Sequence, residues 1–198
     1  MKNFEGKVAI VTGGSGGIGE AVALKFAREG AKVVIAAQRV DQGEAVVREI
    51  ESLGSEGLFV QTDVAKRAEI EVLVEKTVDR FGRLDCAVNN AGIVGQVSTP
   101  VAEIDEASWD DVMNVNLKGV WMCMKYEIPA MLKHGKGAIV NISSIYGAKP
   151  SDAGHSAQNR VGDAEEIAEA IRVVVLGCGE LCEWSGADGG WADTTRLY

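Results

Sequence analysis

The sequence predicts an α/β fold in which a doubly wound parallel sheet carries helices on both faces. Short apolar, β-branched runs typical of strands buried on both faces alternate with segments whose apolar residues recur at helical spacing. This alternation favours parallel strands joined by crossover helices. It is regular as far as Ser144, and neither a repeat nor a linker interrupts it. We therefore expect a single domain over residues 1–198.

The predicted elements follow one another in chain order. They are a strand at 7–12, a helix carrying Ile18, Val22 and Phe26 that ends near Gly30, a strand at 31–37, a helix at 41–53, a strand at 58–61, a helix burying Ile70, Leu73, Val74, Val78 and Phe81, a strand at 84–88, a helix at 108–132, a strand at 137–142 and a helix at 163–171. Beyond these, 173–176 is the one further candidate element. The expected strand order is 3-2-1-4-5.

Composition excludes several classes of protein. Of 198 residues, 46% are hydrophobic and 25% charged, which is the balance of a folded chain. The net charge of −9 provides no basic face for nucleic acid. No apolar run approaches the roughly 20 residues that span a bilayer. Cys86 and Cys123 lie in apolar segments, and Cys178 and Cys182 lack a second pair of metal ligands. We expect a cytoplasmic protein with reduced thiols, no membrane partner and no metal.

A glycine-rich turn joins the first strand to the first helix. Its sequence, residues 12–19, is Thr-Gly-Gly-Ser-Gly-Gly-Ile-Gly. Glycines permit positive φ, let the backbone approach a pyrophosphate, and place that group on the helix N-terminus. A plain glycine-rich turn is the alternative, but the position between strand and helix favours nucleotide binding.

The T-G-x-x-x-G-x-G pattern of this turn resembles that of the short-chain dehydrogenase/reductase family, and other blocks agree with it in order. They are Asp63-Val64 after the third strand, Asn89-Asn90-Ala91-Gly92 at the end of the fourth, Asn114–Gly119, the Val-Asn-Ile-Ser-Ser of 140–144, Arg-Val-Gly-Asp at 160–163 and Asp-Gly-Gly-Trp at 188–191. The resemblance is continuous over 1–148 and fragmentary over 149–198.

The resemblance implies a Rossmann-like, NAD(P)-dependent oxidoreductase that transfers hydride between nicotinamide and a small alcohol or carbonyl substrate. It assigns cofactor binding to Gly13, Ser15, Gly17, Ile18, Gly19, Asp63, Val64, Asn90, Ala91 and Gly92. By the same resemblance Ser144 binds the substrate oxygen, Asn116 supports the proton relay, and a homo-oligomer is allowed. Asp63 as a turn cap and Asn89 and Asn90 as turn asparagines remain alternatives. Asn116 falls on an apolar stripe, where an amide needs a partner.

Cofactor choice depends on the end of the second strand. An acidic residue there would bind the ribose hydroxyls and repel a 2′-phosphate. Ala37 occupies the position of the family's aspartate, and Arg39 lies two residues further on. This favours NADP over NAD weakly, because a solvated surface charge is the alternative for Arg39.

The family's Tyr-x-x-x-Lys is absent from this chain. None of Tyr126, Tyr146 and Tyr198 has a lysine four positions later, and no lysine follows Lys149. Codons for 173–184 read one base forward permit a family-like sequence, which raises the hypothesis of a deletion and a frame-shifted tail. The alternative function is thus a catalytically inactive nucleotide-binding remnant. With the family's sixth strand missing, we expect 137–142 to be an open sheet edge.

Overall fold

The structure is a computed structural model that describes residues 2–96, 99–143, 163–177, 182–185 and 195–196. The described strands are β1 (Val8–Thr12), β2 (Lys32–Ala37), β3 (Gly57–Gln61), β4 (Cys86–Asn89), β5 (Ala138–Asn141), β6 (Cys182–Ser185) and β7 (Thr195–Arg196). The described α-helices are α1 (Gly17–Arg28), α2 (Val40–Ser52), α3 (Arg67–Phe81), α4 (Glu106–Met113), α5 (Val120–Leu132) and α6 (Ala164–Gly177), with a 3₁₀ turn at Val101–Glu103 and a π-helical segment at Asn114–Gly119.

The strands form one sheet in the order β3-β2-β1-β4-β5-β6-β7. Every neighbouring pair from β3 to β6 is parallel, and β7 is antiparallel to β6. The predicted fold class and the order 3-2-1-4-5 are confirmed. The first five strands match their predicted bounds to within two residues, because a fully buried parallel strand is a continuous apolar run.

The expectation that β5 would be an open edge is wrong. β6 pairs with it in parallel, from Ala138 opposite Cys182 to Asn141 opposite Ser185. The apolar run of β5 therefore has hydrogen-bonded strands on both sides. Sequence pattern did not reveal β6, since four residues are too few to show a period.

Two helical predictions also need correction. The predicted helix 108–132 begins at Glu106, and its α-helical parts are separated by the π-helical segment. Residues 173–176, proposed as a separate element, instead continue α6. Their spacing explains this, because Ala168, Ile171 and Val175 are buried at helical intervals while Val173 is 56% exposed.

The sheet buries a core on each face. Alternate residues of β1 point to opposite sides, so Ala9 and Val11 join one cluster and Ile10 joins the other. The first cluster is covered by α1, α2 and α6, and the second by α3 and α5. Of the helices in the described ranges, none combines the length and the apolarity needed to cross a bilayer. This arrangement leaves the carboxyl ends of the strands as the edge where a crevice forms.

Candidate functional site

A cleft of about 470 Å³ opens at the carboxyl ends of β1, β2 and β4. The described residues that line it come from the glycine-rich turn, from the ends of β2, β3 and β4, and from the π-helical segment. They are Gly13, Ser15, Gly16, Ile18, Ala36, Ala37, Gln38, Arg39, Thr62, Val64, Asn90, Ala91, Gly92, Ile93 and Val115. Doubly wound sheets place their ligands in this position, so the cleft is the candidate functional site.

Two positions of the glycine-rich turn, Gly13 and Gly19, are packed too closely for a side chain. Gly13 has φ +65°, and a Cβ there would lie 2.9 Å from Asn90 Nδ2 and 3.0 Å from the Ala91 Cα. A Cβ on Gly19 would collide with the Gly13 carbonyl oxygen. The turn thus lies flat against the end of β4 and presents bare backbone at the start of α1. Bare backbone at a helix N-terminus suits an anionic group.

Hydrogen bonds lock this turn to the end of β4. The Thr12 Oγ1 accepts from the backbone N–H groups of Asn90 and Ala91, each at 3.0 Å. In return, Asn90 Nδ2 donates to the carbonyl oxygens of Thr12 at 3.0 Å and Gly13 at 3.3 Å. Thr12 is buried and was not among the predicted site residues. The signal available for it was a hydroxyl side chain at the last position of an otherwise apolar strand.

Arg39 reaches back across the mouth of the cleft. Its Nη2 donates to Ser15 Oγ at 3.2 Å, which joins the loop after β2 to the glycine-rich turn. Among the described residues that line the cleft, Arg39 is the only charged one. Ala37, where an acidic side chain would stand for a ribose contact, is buried at 6% exposure. The cleft therefore has positive charge where β2 ends.

Asp63 lies beside the cleft and not in it. With Gln38, Gln61, Lys66 and Glu69 it lines a neighbouring recess of about 290 Å³. Its Oδ1 accepts from the Ala65 N–H at 3.0 Å, and its own N–H donates to Glu69 Oε2 at 2.7 Å. The backbone N–H of Asp63 and the Lys66 ammonium lower the pKa of Glu69. The hydrogen bond from the Ala65 N–H is the contact expected of an aspartate that caps a turn, which was the alternative to a cofactor role for Asp63.

Asn116 lies in the π-helical segment and pairs with the loop after β4. Its Oδ1 accepts from the Ile93 N–H and its Nδ2 donates to the Ile93 carbonyl, both at 2.9 Å. The apolar stripe expected around it is not a buried face, since Asn116 is exposed and Trp109 is 57% exposed. The amide has its partner in main chain. Ser144, the other residue expected at the substrate, lies outside the described residues.

The comparisons with known proteins agree with this geometry. The model of the short chain dehydrogenase family matches residues 7–156. The chain belongs to the short-chain dehydrogenase/reductase family.

Relatives of this family member are oxidoreductases. A 3beta-hydroxysteroid dehydrogenase of Mediterraneibacter gnavus is 37% identical over 186 residues, covering 92% of this chain and 67% of that protein. An uncharacterized oxidoreductase of Thermotoga maritima is 46% identical over 145 residues, covering 73% of this chain and 56% of that protein. The chain thus spans between about half and two thirds of the length of these relatives.

A solved structure shares the fold of this short-chain dehydrogenase/reductase. It is a metagenomic short-chain oxidoreductase in complex with NADP, with a TM-score of 0.76 and 29% identity. The match covers 93% of this chain and 99% of that one. The shared fold agrees with the family assignment of this chain.

The structure brings most of the residues predicted for the cofactor into one place. Gly13, Ser15, Ile18, Arg39, Val64, Asn90, Ala91 and Gly92 line the cleft. Gly17 begins α1 and Gly19 packs on Gly13, so these two shape the turn without lining the cleft. Gln38, Thr62, Ile93 and Val115 line it and were not predicted. Gln38, Thr62 and Ile93 follow strands, and Val115 lies in the Asn114–Gly119 block, where only Asn116 is assigned a role.

Proposed function

We propose that this chain is an NADP(H)-binding oxidoreductase of the short-chain type, acting on a small alcohol or carbonyl compound. The observation that carries the proposal is the cleft at the carboxyl edge of the sheet. There the glycine-rich turn lies beside Arg39, the one charged residue of the described lining, and no acidic residue is among that lining. The related solved structure holds NADP, which supports this cofactor class.

The described residues fit a dinucleotide phosphate. The Cβ positions of Gly13 and Gly19 are filled by neighbouring atoms, and Gly16 and Gly17 leave bare backbone where α1 begins, a place that suits a pyrophosphate. Arg39 and Ser15 together offer a guanidinium and a hydroxyl to a 2′-phosphate. We place the adenine beside Asp63 and Val64.

The same proposal gives roles to the other side of the cleft. Asn90, Ala91 and Gly92 lie where the nicotinamide half would extend, and Thr12 holds that segment in place. A bound nicotinamide supplies hydride exchange with an alcohol or carbonyl carbon. Asn116 fixes the loop after β4 and, in our proposal, supports the proton relay, while Ser144 hydrogen-bonds the substrate oxygen.

A second candidate function is cofactor binding without turnover. It is favoured by one sequence observation, the absence of a tyrosine followed four positions later by a lysine. Such a pair supplies the proton in the family pattern, and without it the cleft would hold the dinucleotide but lack that acid. We also propose a cytoplasmic location, which the buried reduced thiol of Cys123 supports.

One experiment separates the two candidates. Binding of NADPH is first titrated by its fluorescence, and the protein is then assayed with NADPH and a panel of ketones, and with NADP⁺ and a panel of alcohols. Saturable binding with turnover supports the enzyme, whereas saturable binding without turnover supports the second candidate. Absence of binding contradicts both. An Arg39→Ala variant serves as the matched negative control for binding.

A further inference from the structure

A carboxylic acid with no exposure to solvent packs against the end of β4. Glu127 of α5 is 0% exposed, and its Oε2 accepts a hydrogen bond from Asn89 Nδ2 at 3.1 Å. Asn89 is the last residue of β4 and is itself 2% exposed. Full burial of an acid is unusual for a folded chain unless the group is paired or neutral. None of the site roles described above uses Glu127.

The acid belongs to a polar cluster at the carboxyl ends of β4 and β5. Asn89 and Asn141 stand opposite each other in the two strands, and Asn89 Nδ2 donates to Asn141 Oδ1 at 3.0 Å. The Asn141 amide in turn contacts Met124 Sδ at 3.3 Å. The next residue after Asn89 is Asn90, which braces the glycine-rich turn. Only Asn89 thus separates Glu127 from Asn90, which lines the cleft.

Two acceptor atoms of this cluster lack a donor. Asn89 Oδ1 and Glu127 Oε1 are both buried and have no hydrogen-bond partner among the described residues. If Glu127 were ionised, both would be buried acceptors without donors, and an unsatisfied charged oxygen carries the larger cost. A proton on Glu127 converts its free oxygen into a donor, and the Asn89 carbonyl is the acceptor still without one. One proton on Glu127 therefore allows its Oε1 to donate to Asn89 Oδ1, directly or through an internal water, so that neither oxygen lacks a partner.

The surroundings of Glu127 favour the protonated form. Burial raises its pKa to about 7, and the Asn89 hydrogen bond opposes this only in part. On the same helix, the titratable neighbour of Glu127 is Cys123, a buried thiol whose pKa is raised by burial and by the charge of Glu127. β4 and β5 present Asn89 and Asn141, which do not titrate. α3, the helix packed on α5, directs Arg67 and Glu71 to Tyr126.

We propose that Glu127 is a positioning residue that carries a proton in the native protein, holds the end of β4 through Asn89, and so fixes residues 90–92 for cofactor binding. Loss of the proton leaves a buried charge against the Asn89 carbonyl and loosens that segment. The part of the proposal that concerns cofactor binding rests on the proposed function. The part that concerns the proton does not.

The first test is stability against pH for wild type, Glu127→Gln and Glu75→Gln. Glutamine reproduces the neutral acid, and Glu75 is an exposed position of α3 that serves as the matched control. Because the folded pKa is raised, the unfolded chain releases the proton first. Relative to E127Q, the native-to-unfolded ratio of wild type falls between pH 4.5 and about 7, then levels off. The total expected fall is on the order of 100-fold, with E75Q following wild type.

The second test is NADPH affinity at pH 6 and pH 8. From pH 6 to pH 8 we expect the NADPH Kd of wild type to rise by roughly 5-fold or more relative to the Kd of E127Q. This is the range of ordinary coupling between two sites. Titration of the cofactor phosphate is common to both proteins, so only their difference counts. If NADPH binds neither protein at either pH, the proposed function fails while the stability test still decides the state of Glu127.

The third test observes the titration directly in wild type and uses the E127Q spectrum only to assign the resonance. Carbon-13 NMR of the glutamate side-chain carboxyls is followed across the pH range. One carboxyl that titrates well above the others, and is missing from the E127Q spectrum, supports the proposal. The proposal is overturned if every glutamate is ionised at pH 6, or if wild type and E127Q show the same pH dependence of stability and of NADPH affinity.

Discussion

At the scale of single residues, Arg39 gives the described lining of the cleft its positive charge. Its guanidinium donates to Ser15 Oγ at 3.2 Å, and no described lining residue carries a negative charge to oppose a phosphate. A guanidinium binds a phosphate group through charge-assisted hydrogen bonds, which are stronger than neutral ones. NADPH and NADH differ only in that phosphate, so the pair of cofactors isolates the contribution of this side chain.

We predict that Arg39→Ala weakens NADPH binding by roughly 10–100-fold and leaves NADH binding nearly unchanged, since one charged hydrogen-bonding group is lost. Fluorescence titration of both cofactors measures it. Arg48→Ala, at a position of α2 whose side chain is 67% exposed, is the control and should match wild type. Equal weakening of NADPH and NADH by R39A would contradict the assignment of Arg39 to the 2′-phosphate.

Gly19 tests the fit of the turn at the same scale. A methyl group there meets the Gly13 carbonyl and the Asn90 amide, so Gly19→Ala should destabilise the fold by about 1–3 kcal/mol. Urea denaturation measures the loss. Gly92→Ala is the matched control, because the nearest atom to its added Cβ lies at 3.5 Å, an ordinary contact. Similar stabilities of the two variants would show that the turn is not tightly packed.

At the scale of elements, the packing of α6 against α1 attaches the C-terminal part of the described chain to the fold. Ile171 is 0% exposed within the cluster that also holds residues of α1 and α2. Lys25 of α1 bonds Glu169 at 2.7 Å, and Arg172 lies near both Glu169 and Glu29. The Lys25–Glu169 pair is open to solvent and contributes little, and apolar burial carries the docking.

Truncation of Ile171 therefore measures the docking of α6. We predict that Ile171→Ala costs about 2–5 kcal/mol of unfolding free energy, the usual range for a buried isoleucine. Val173→Ala, on the exposed side of the same helix, should cost less than about 0.5 kcal/mol. Both are measured by urea denaturation followed by circular dichroism. A small effect of I171A would mean that α6 does not pack on α1 in solution.

Asp85 joins the beginnings of β1 and β4. It accepts from the Val8 N–H at 3.0 Å, from Lys7 Nζ at 3.1 Å and from Arg83 Nε at 2.7 Å. Burial raises the pKa of Asp85, but these hydrogen bonds together outweigh it and the pKa is lowered from 3.8. A lowered folded pKa stabilises the native state above the unfolded value, and this is lost as the pH falls below it.

We accordingly predict that Asp85→Asn is less stable than wild type at pH 7 by about 1–3 kcal/mol, the cost of a lost charged partner. The difference should shrink as the pH falls below about 3.8. Urea denaturation across a pH series gives both quantities. Asp79→Asn, an exposed position of α3, should follow wild type throughout. A constant difference from pH 7 to pH 3 would contradict this account.

How much was predictable from sequence differs between elements and side chains. The strand order and the family follow from local signals, namely apolar runs and the glycine-rich turn. β6 and the full extent of α6 do not, because their identity depends on neighbours far away in the chain. The hydrogen-bond partners of Thr12, Asn116 and Glu127 were likewise not predictable, because they belong to other elements. The cofactor residues remain predictions, although the cleft brings most of them together.

The whole molecule has a family fold, and its match spans between about half and two thirds of the length of the curated relatives. Strands β6 and β7 continue the sheet past β5, and α6 packs on the same face of the sheet as α1. A cofactor that binds only the folded state stabilises it by mass action, whatever the chain does afterwards with substrate. Binding and folding are therefore read out together by heating the protein.

The most direct test of the account is a thermal melt of the 198-residue chain without cofactor, with NADPH and with NADH at equal concentration. At about 100 times the Kd, NADPH adds roughly 2.7 kcal/mol, which for a chain of this size raises the Tm by about 5–10 °C. The account predicts one cooperative transition that NADPH shifts upward by this amount and NADH shifts less. A melt that neither cofactor moves, or that NADH moves more than NADPH, would contradict it.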